Sequence, residues 1–580
     1  MSDFSVAVLS AEWLTKAEEQ RGELLLSDEA SAQLSKSARR LFLSSNRTRI
    51  YLIAVYCLDR ARIFCFDRGG FIATEEINWL SATEHIPRFF WRLYNPGSAS
   101  VDDTITIPPD SVKQRLWAAV QAHKFYGSHK DLQDEAAFMK HCVGILAARR
   151  RPGQQYQQDV VQRLTVGPPL WINHGLFGRA TRVYRVVVEA DLDTDAGVPL
   201  TFYALKDAWR ESRRRPEVDL YDLIEHHCTK NQIDMEKLGM ARCHGSLDLS
   251  DPDSTLGAVP WDTQRHVTMF GQDEAHQCHH TRTLLTPLGC SIEVFPRTKN
   301  LVTALYNSAK QLIIAWQAGV THRHVSDGNI MFFEDPSLAN VLGFLCDYDC
   351  AEFTEEGVDA FNMFIKQHPH PARRPASWEE TKKSLKSFTG TFEFMAVEIL
   401  EAQNPNLKDH PCHELRHDLE STYWLLVSIV LRNTKHSHSL RQHACQHVLG
   451  QSGTSGKLEW FQDDIETTVP AGSPLSRLLF VLGEHVYSQV KKRSAYDKQK
   501  DNPNTRRVPI DHEKFMADFA ECLAASGWAE DDAPLESRPV LPGGWQAPVS
   551  ERESRSRSES WSVPGAAADN NSKRRRLDLQ

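Results

Sequence analysis

Apolar residues recur at helical spacing from Leu301 to Val320 and from Tyr423 to Leu431, and both stretches are predicted helices. A third helix is predicted from Pro216 to Glu225, with Pro in the first turn and apolar residues at Val218, Leu220, Leu223 and Ile224. Shorter runs have strand length. Trp171 to Val188 reads as strand, turn, strand, Thr201 to Lys206 as the next strand, and Val341 to Cys346 as a buried strand closing on Asp347 and Asp349. Residues 1 to about 45 read as helical and polar. From Arg49 a buried strand is predicted, then an alternating strand from Ala61 to Phe66, a turn at Asp67-Arg68-Gly69-Gly70 and another strand. Helices over Glu84 to Tyr94 and Val112 to Phe125 follow. The polar stretch Gln367 to Ser387, rich in Pro and Lys, is expected to be a mobile loop. From about Gly527 the apolar pattern ends, and Pro, Ser, Glu and Arg dominate. Such a tail buries too little to offset the entropy of ordering, and disorder is expected.

Composition narrows the class. With 41% hydrophobic and 25% charged residues over 580 positions, the chain has the balance of a globular protein of two or three domains. A formal charge of -9 argues against nucleic acid as a general partner. The 12 Cys are scattered without a repeating framework, which suits a reducing, intracellular compartment. No signal peptide, membrane-spanning run or internal repeat is read, so no membrane partner is expected. The run Lys573, Arg574, Arg575 and Arg576 reads as a nuclear-import signal.

The chemistry concentrates after the helix Leu301 to Val320, in the polar stretch His322-Arg323-His324-Val325-Ser326-Asp327-Gly328-Asn329. A helix, a polar loop with a fixed Asn, a hairpin and a strand ending in Asp suit phosphoryl transfer. The metal on a phosphate donor needs an Asp and an Asn, and the acceptor hydroxyl needs a proton acceptor nearby. The loop follows the order of the protein-kinase template H-R-D-L-x-x-x-N, with His324 where that template has its Asp. Asp347-Tyr348-Asp349 stands in the place of D-F-G. In the Gly-rich turn only Gly178 and Val183 match, with Leu176 and Thr181 in place of glycine. Lys206 closes its strand at the position of the nucleotide lysine, and Glu217, or Glu225 as the alternative, supplies its acidic partner. Gly390-Thr391 to Glu398 follows the closing motif of an activation segment.

These motifs together resemble the fungal-type protein kinase family. Its loop reads H-R-D-x-S-x-G-N, matched by Ser326, Gly328 and Asn329, and its metal motif is D-x-D. Its G-R-x-T-x-V turn, its H-D-L-E-S motif (His417 to Ser421) and its Asp-Arg-x-Gly turn recur here as well. The resemblance implies a two-lobed α+β protein-kinase-like fold. An α/β accessory region spans 1–155, a small β-rich lobe 156–290, a large α-rich lobe 291–526 and a disordered tail 527–580. It implies ATP and Mg2+ as cofactors. Lys206 with Glu217 orients the nucleotide under Gly178 and Val183, and Asn329, Asp347 and Asp349 hold the metal. Arg323 and His324 belong to the catalytic loop, with His324 accepting the hydroxyl proton, and Asp418 supports that loop. The expected partner is a protein substrate or scaffold partner. Three activities fit: a Ser/Thr-type protein kinase weakened at His324, a pseudokinase that binds nucleotide as a scaffold, and a small-molecule phosphotransferase. The activation segment counts against the last.

Overall fold

In the computed structural model the strand carrying Lys206, Tyr203–Glu211, lies between Arg182–Val188 and Cys278–Thr286 in an antiparallel sheet. The path of this eight-stranded sheet runs Arg242–Asp248, Cys278–Thr286, Tyr203–Glu211, Arg182–Val188, Gln154–Thr165, Gly144–Arg151 and Ile105–Thr106. Trp171–Ile172 pairs beside Arg182–Val188. The structure describes residues 8–10, 28–56, 59–81, 83–94, 101–151, 154–193, 200–250, 277–335, 337, 341–370, 373–403, 410–450, 454–462, 465–491 and 507–535. The basic run Lys573 to Arg576 and most of the tail expected to be disordered therefore lie outside the described residues.

The period-two pattern of the strands sends apolar residues to both faces of this sheet. Ile145, Ala147, Val186, Leu205 and Leu284 pack together as one cluster. Leu164, Val187 and Phe202 belong to another, covered by Leu116 and Val120 of the helix Asp110–Ala122 and by Phe138 of the helix Glu135–His141. The boundary expected at residue 155 falls inside the antiparallel pair Gly144–Arg151 and Gln154–Thr165, so the small-lobe sheet takes strands and covering helices from both sides of it. Arg282, fully buried, crosses the same join. It donates to Thr104 Oγ1 (2.6 Å) and the Leu146 carbonyl (2.9 Å), and pairs with Asp102 and Asp207.

A separate five-stranded sheet comprises Val8–Ser10, Ile50–Tyr56, Arg60–Phe66, Phe71–Ala73 and Ile77–Asn78. The helix Asp28–Ser44 lays Leu34, Ala38 and Phe42 onto Leu52, Phe64 and Phe66. Val8–Ser10 lies within the stretch read as helical. It is instead a strand, its β-branched and apolar residues pairing in parallel with Ile53–Val55.

The large lobe is mainly helical. Its helices include Thr298–Gln317, the almost wholly buried Leu415–Asn433, Pro474–Val490 and His512–Ala524. The small sheet of Gly289–Ser291, Ile330–Phe333 and Gly343–Leu345 packs beside the first of these, and Asp347 follows two residues after its last strand. The molecule is thus a two-lobed α+β kinase-like fold. Among the described residues no helix is long and apolar enough to cross a membrane.

Candidate functional site

Lys206 is buried, opposite Val183 in the strand register, and its ammonium meets three carboxylates. Glu217 Oε2 lies at 2.9 Å and Asp349 Oδ2 at 2.8 Å, and Asp347 Oδ1 is hydrogen-bonded. Glu217 enters from the first turn of the helix Glu217–Lys230, and its other oxygen accepts the Tyr348 N–H at 3.0 Å. Glu225, the alternative partner, faces elsewhere, bonded to Arg150 (2.6 Å) and Arg242 (2.8 Å). Arg179, which follows Gly178, adds a second cation, 3.3 Å from Asp349 and 4.0 Å from Asp347.

Burial opposes the charge on Lys206, but Asp347, Asp349 and Glu217 outweigh it and raise its pKa well above the usual lysine range. Asp347 is held far below the usual carboxylate range. Burial works against this, and Lys206, Arg179 and His324 overcome it. Glu217 is pushed up to about 8 by burial, with Asp349 and Asp347 adding to it against the pull of Lys206. Three carboxyl groups and two cations thus share one site, with Glu217 the carboxyl least inclined to ionise. Ligand oxygens of Glu217, Asp347 and Asp349 all lie within 4.8 Å of one another. Such an oxygen-only set fits a hard divalent cation such as Mg2+, and it is the one such group among the described residues.

The His322–Asn329 loop is held from beneath by Asp418 in the first turn of Leu415–Asn433. Its carboxylate accepts the backbone N–H groups of His322 (3.0 Å) and Arg323 (2.9 Å), and His413 lies at 3.0 Å. Arg323 and Asp347 both adopt left-handed backbone conformations, φ 67° and 64°, which non-glycine residues keep only where the surroundings impose them. Asn329 Nδ2 donates to the His324 carbonyl at 2.8 Å, which leaves its Oδ1 as the end able to face a metal. His324 Nε2 lies 3.2 Å from Thr391 Oγ1. The neighbouring Gly390 has φ +110°, and a Cβ there would come within 2.9 Å of the Arg323 carbonyl, so glycine is required. Burial opposes protonation of His324, but the neighbouring Cys350 and Asp347 raise its pKa. In return Cys350 falls to about 7, because His324, Arg179 and Arg214 outweigh its burial.

The stretch Gln367 to Ser387, expected to be a mobile loop, carries the helix Trp378–Leu385. Arg323 donates to the carbonyls of Ser384 (2.6 Å) and Ser387 (2.9 Å), and Arg373 pairs with Asp219 (3.5 Å) and Asp222. Its polar residues are thus satisfied by partners distant in the chain. Gly178 is not joined to the ionic cluster. Its N–H donates to the Arg68 carbonyl at 2.8 Å. Sequence reasoning missed Arg179, Arg373, Cys350 and Arg68. Arg179, beside Gly178 in the G-R-x-T pattern, and Arg68, in the Asp-Arg-x-Gly turn, carried local signals, but neither signal names a partner.

The family model described as fungal protein kinase matches residues 15–430. No curated protein matches the chain. Among solved structures, that of vaccinia related kinase 3 is 12% identical with a TM-score of 0.35, over 65% of this chain and 89% of that one. The structure of the Cydia pomonella Granulovirus kinase, PK-1, is 8% identical with a TM-score of 0.31, over 58% and 88%.

Two imidazoles in this region make acid stability testable. His322 Nδ1 accepts the His324 N–H at 3.3 Å and its Nε2 meets the Cys346 carbonyl at 3.0 Å; His417 Nδ1 accepts the Glu414 N–H at 2.9 Å and its Nε2 meets Glu398 at 3.0 Å. Each ring is held neutral, and burial lowers each pKa to about 4. Below the ordinary histidine pKa of 6.5 the unfolded chain takes up protons that the folded chain refuses. The stability is therefore whole above that pH and is lost as pH falls towards 4, by about 3 kcal/mol per imidazole. Measured by urea midpoints from neutral pH down to about 4, the wild type should lose about 3 kcal/mol relative to His417→Gln, the opposite trend of Glu217 being common to both proteins. An equal pH dependence in the variant would show that His417 is not held neutral.

Proposed function

The chain belongs to the fungal protein kinase family, and from that premise we propose that it binds Mg-ATP and transfers the γ-phosphate to Ser/Thr hydroxyls of a protein substrate, at a rate reduced by His324. The observation that carries this reading is the Lys206 cluster, on which the carboxyl groups of Glu217, Asp347 and Asp349 converge. Asp347, Asp349 and Asn329 Oδ1 would hold the metal, which when bound neutralises charge on the phosphate oxygens. Lys206, fixed by Glu217, would bind and orient those oxygens. Arg323 holds the segment on which a substrate would lie, through Ser384 and Ser387.

His324 would receive the hydroxyl proton at an imidazole nitrogen. A neutral imidazole accepts a hydrogen bond from a hydroxyl, and a protonated one does not. The raised pKa of His324 shifts it towards the form that cannot act, which supports a slow reaction. The contact with Thr391 supports Ser/Thr acceptors. The same position favours a second reading, a pseudokinase that binds nucleotide as a scaffold. Loss of a general base costs roughly 100- to 10,000-fold.

Mg-ATP at millimolar concentration should raise the thermal midpoint of the wild type and raise that of Asp347→Ala less. No shift in the wild type would remove the nucleotide reading. His324→Asp should increase phosphotransfer to a generic Ser/Thr substrate by at least about tenfold. A wild type that is active and loses rate on this substitution would make histidine the adapted base. Silence of both proteins with Mg-ATP still bound would favour the scaffold. We further propose that Lys573 to Arg576 directs nuclear import. Removing residues 570–580 should then move a tagged protein towards the cytoplasm, and an unchanged distribution would discard the signal.

A further inference from the structure

The Gly-rich turn is short of glycines, yet its backbone takes a glycine-like path. Gly178 has φ +83° and Ala180 φ +42°, so two residues in three are left-handed and one of them bears a Cβ. A non-glycine residue stays in that region only when its surroundings over-determine it. Ala180 is buried against Trp209 and Cys278 of the small-lobe sheet, whereas residues 175–178 are held by the N-terminal sheet. Arg68, 6% exposed, donates through Nη1 to the carbonyls of Gly175 (3.1 Å) and Leu176 (3.0 Å), and its own carbonyl accepts the Gly178 N–H at 2.8 Å. The bonds thus run in both directions between two turns more than a hundred residues apart in the chain.

The turn that presents Arg68 is itself fixed. Asp67 Oδ1 accepts the N–H groups of Gly69 (2.8 Å) and Gly70 (3.1 Å). The Arg68 guanidinium lies over the Phe42 ring at 4.1 Å. Leu176 packs against the cluster containing Leu34, Phe42 and Phe66, and Phe177 stacks on Phe66 with centroids 6.4 Å apart. The tip of the Gly-rich turn is therefore seated on the N-terminal domain through backbone, side-chain and apolar contacts together.

We infer that Arg68 is the positioning residue of the Gly-rich turn, holding residues 175–178 in the conformation that receives the phosphates of a nucleotide. The nucleotide part rests on the function proposed above; the hold on the turn does not. Glycines make such a turn conformationally accessible but do not make it rigid. Here the N-terminal domain supplies the rigidity, and pre-organisation of this kind acts directly on affinity. Because the Gly178 N–H is bonded to the Arg68 carbonyl, the position of the turn follows that of the N-terminal sheet. That couples the placement of the domain to nucleotide binding.

The test uses the full-length chain, wild type, Arg68→Ala and Arg68→Lys. In the nucleotide-free proteins, amide hydrogen exchange over residues 175–181 should quicken in Arg68→Ala and less in Arg68→Lys, whose ammonium cannot reproduce the planar guanidinium. Exchange in the helix Leu415–Asn433 should stay unchanged, which separates loss of the clamp from loss of the fold. Mg-ATP should bind Arg68→Ala about tenfold more weakly than wild type, while adenosine, which lacks phosphates, binds both alike. Unchanged exchange over 175–181 overturns the inference, as does a wild type that binds Mg-ATP with a variant that binds it equally well. A wild type that binds no Mg-ATP removes the nucleotide reading and leaves the hold of Arg68 to be judged by exchange alone.

Discussion

The structure depends on one buried ammonium. Lys206 sits where solvent cannot compensate its charge, and three carboxylates from two distant segments do so instead. Burying a single charge is prohibitive, whereas burying a matched set is tolerable if its members are also hydrogen-bonded. That condition brings the small-lobe strand, the first turn of Glu217–Lys230 and the end of the strand Gly343–Leu345 to one point. Arg179 reaches the same point from the Gly-rich turn. The lobes therefore meet around an electrostatic constraint as much as around apolar contact.

The helix that supplies Glu217 is held by the same kind of interaction on its further turns. Asp222 pairs with Arg150, from the strand Gly144–Arg151, and with Arg373, from the segment after the metal motif. Glu225 takes Arg150 and Arg242, and Asp219 takes Arg215 and Arg373. Arg373 also lies over the Phe364 ring, 5.1 Å from its centroid. Placement of Glu217 thus depends on Arg150 in the small-lobe sheet and on Arg373, well beyond that lobe. Breaking one such pair leaves a buried carboxylate uncompensated, which is the costly case for a buried ion pair.

The N-terminal residues enter this arrangement in two ways. Residues 101–151 extend the small-lobe sheet and cover it with helices, so Arg282 can satisfy Asp102 and Asp207 together. The sheet that ends at Phe71–Ala73 and Ile77–Asn78 instead seats the tip of the Gly-rich turn through Arg68. The first contribution is to stability. The second reaches the part of the fold where a nucleotide's phosphates would lie.

The sequence by itself determined the elements and the chemistry whose signals are local. Helical periodicity marked helices over Leu301 to Val320 and Tyr423 to Leu431, and the order of kinase-like motifs singled out His322 to Asn329, Asp347, Asp349 and Lys206. Whether Glu217 or Glu225 meets Lys206 was open, because both lie on one helix at plausible spacing, and only the packing of that helix sets which side faces the strand. Arg373 lay in a stretch that reads as a loop, and Arg68 in a turn with no sign of its partner. The tertiary structure decided these pairings. Arg68 and Gly175 are 107 residues apart, and Arg179 and Asp349 170 apart. Hydrogen bonds and ion pairs at such separations leave no periodicity in the chain; they follow from which buried groups the fold brings within reach of one another.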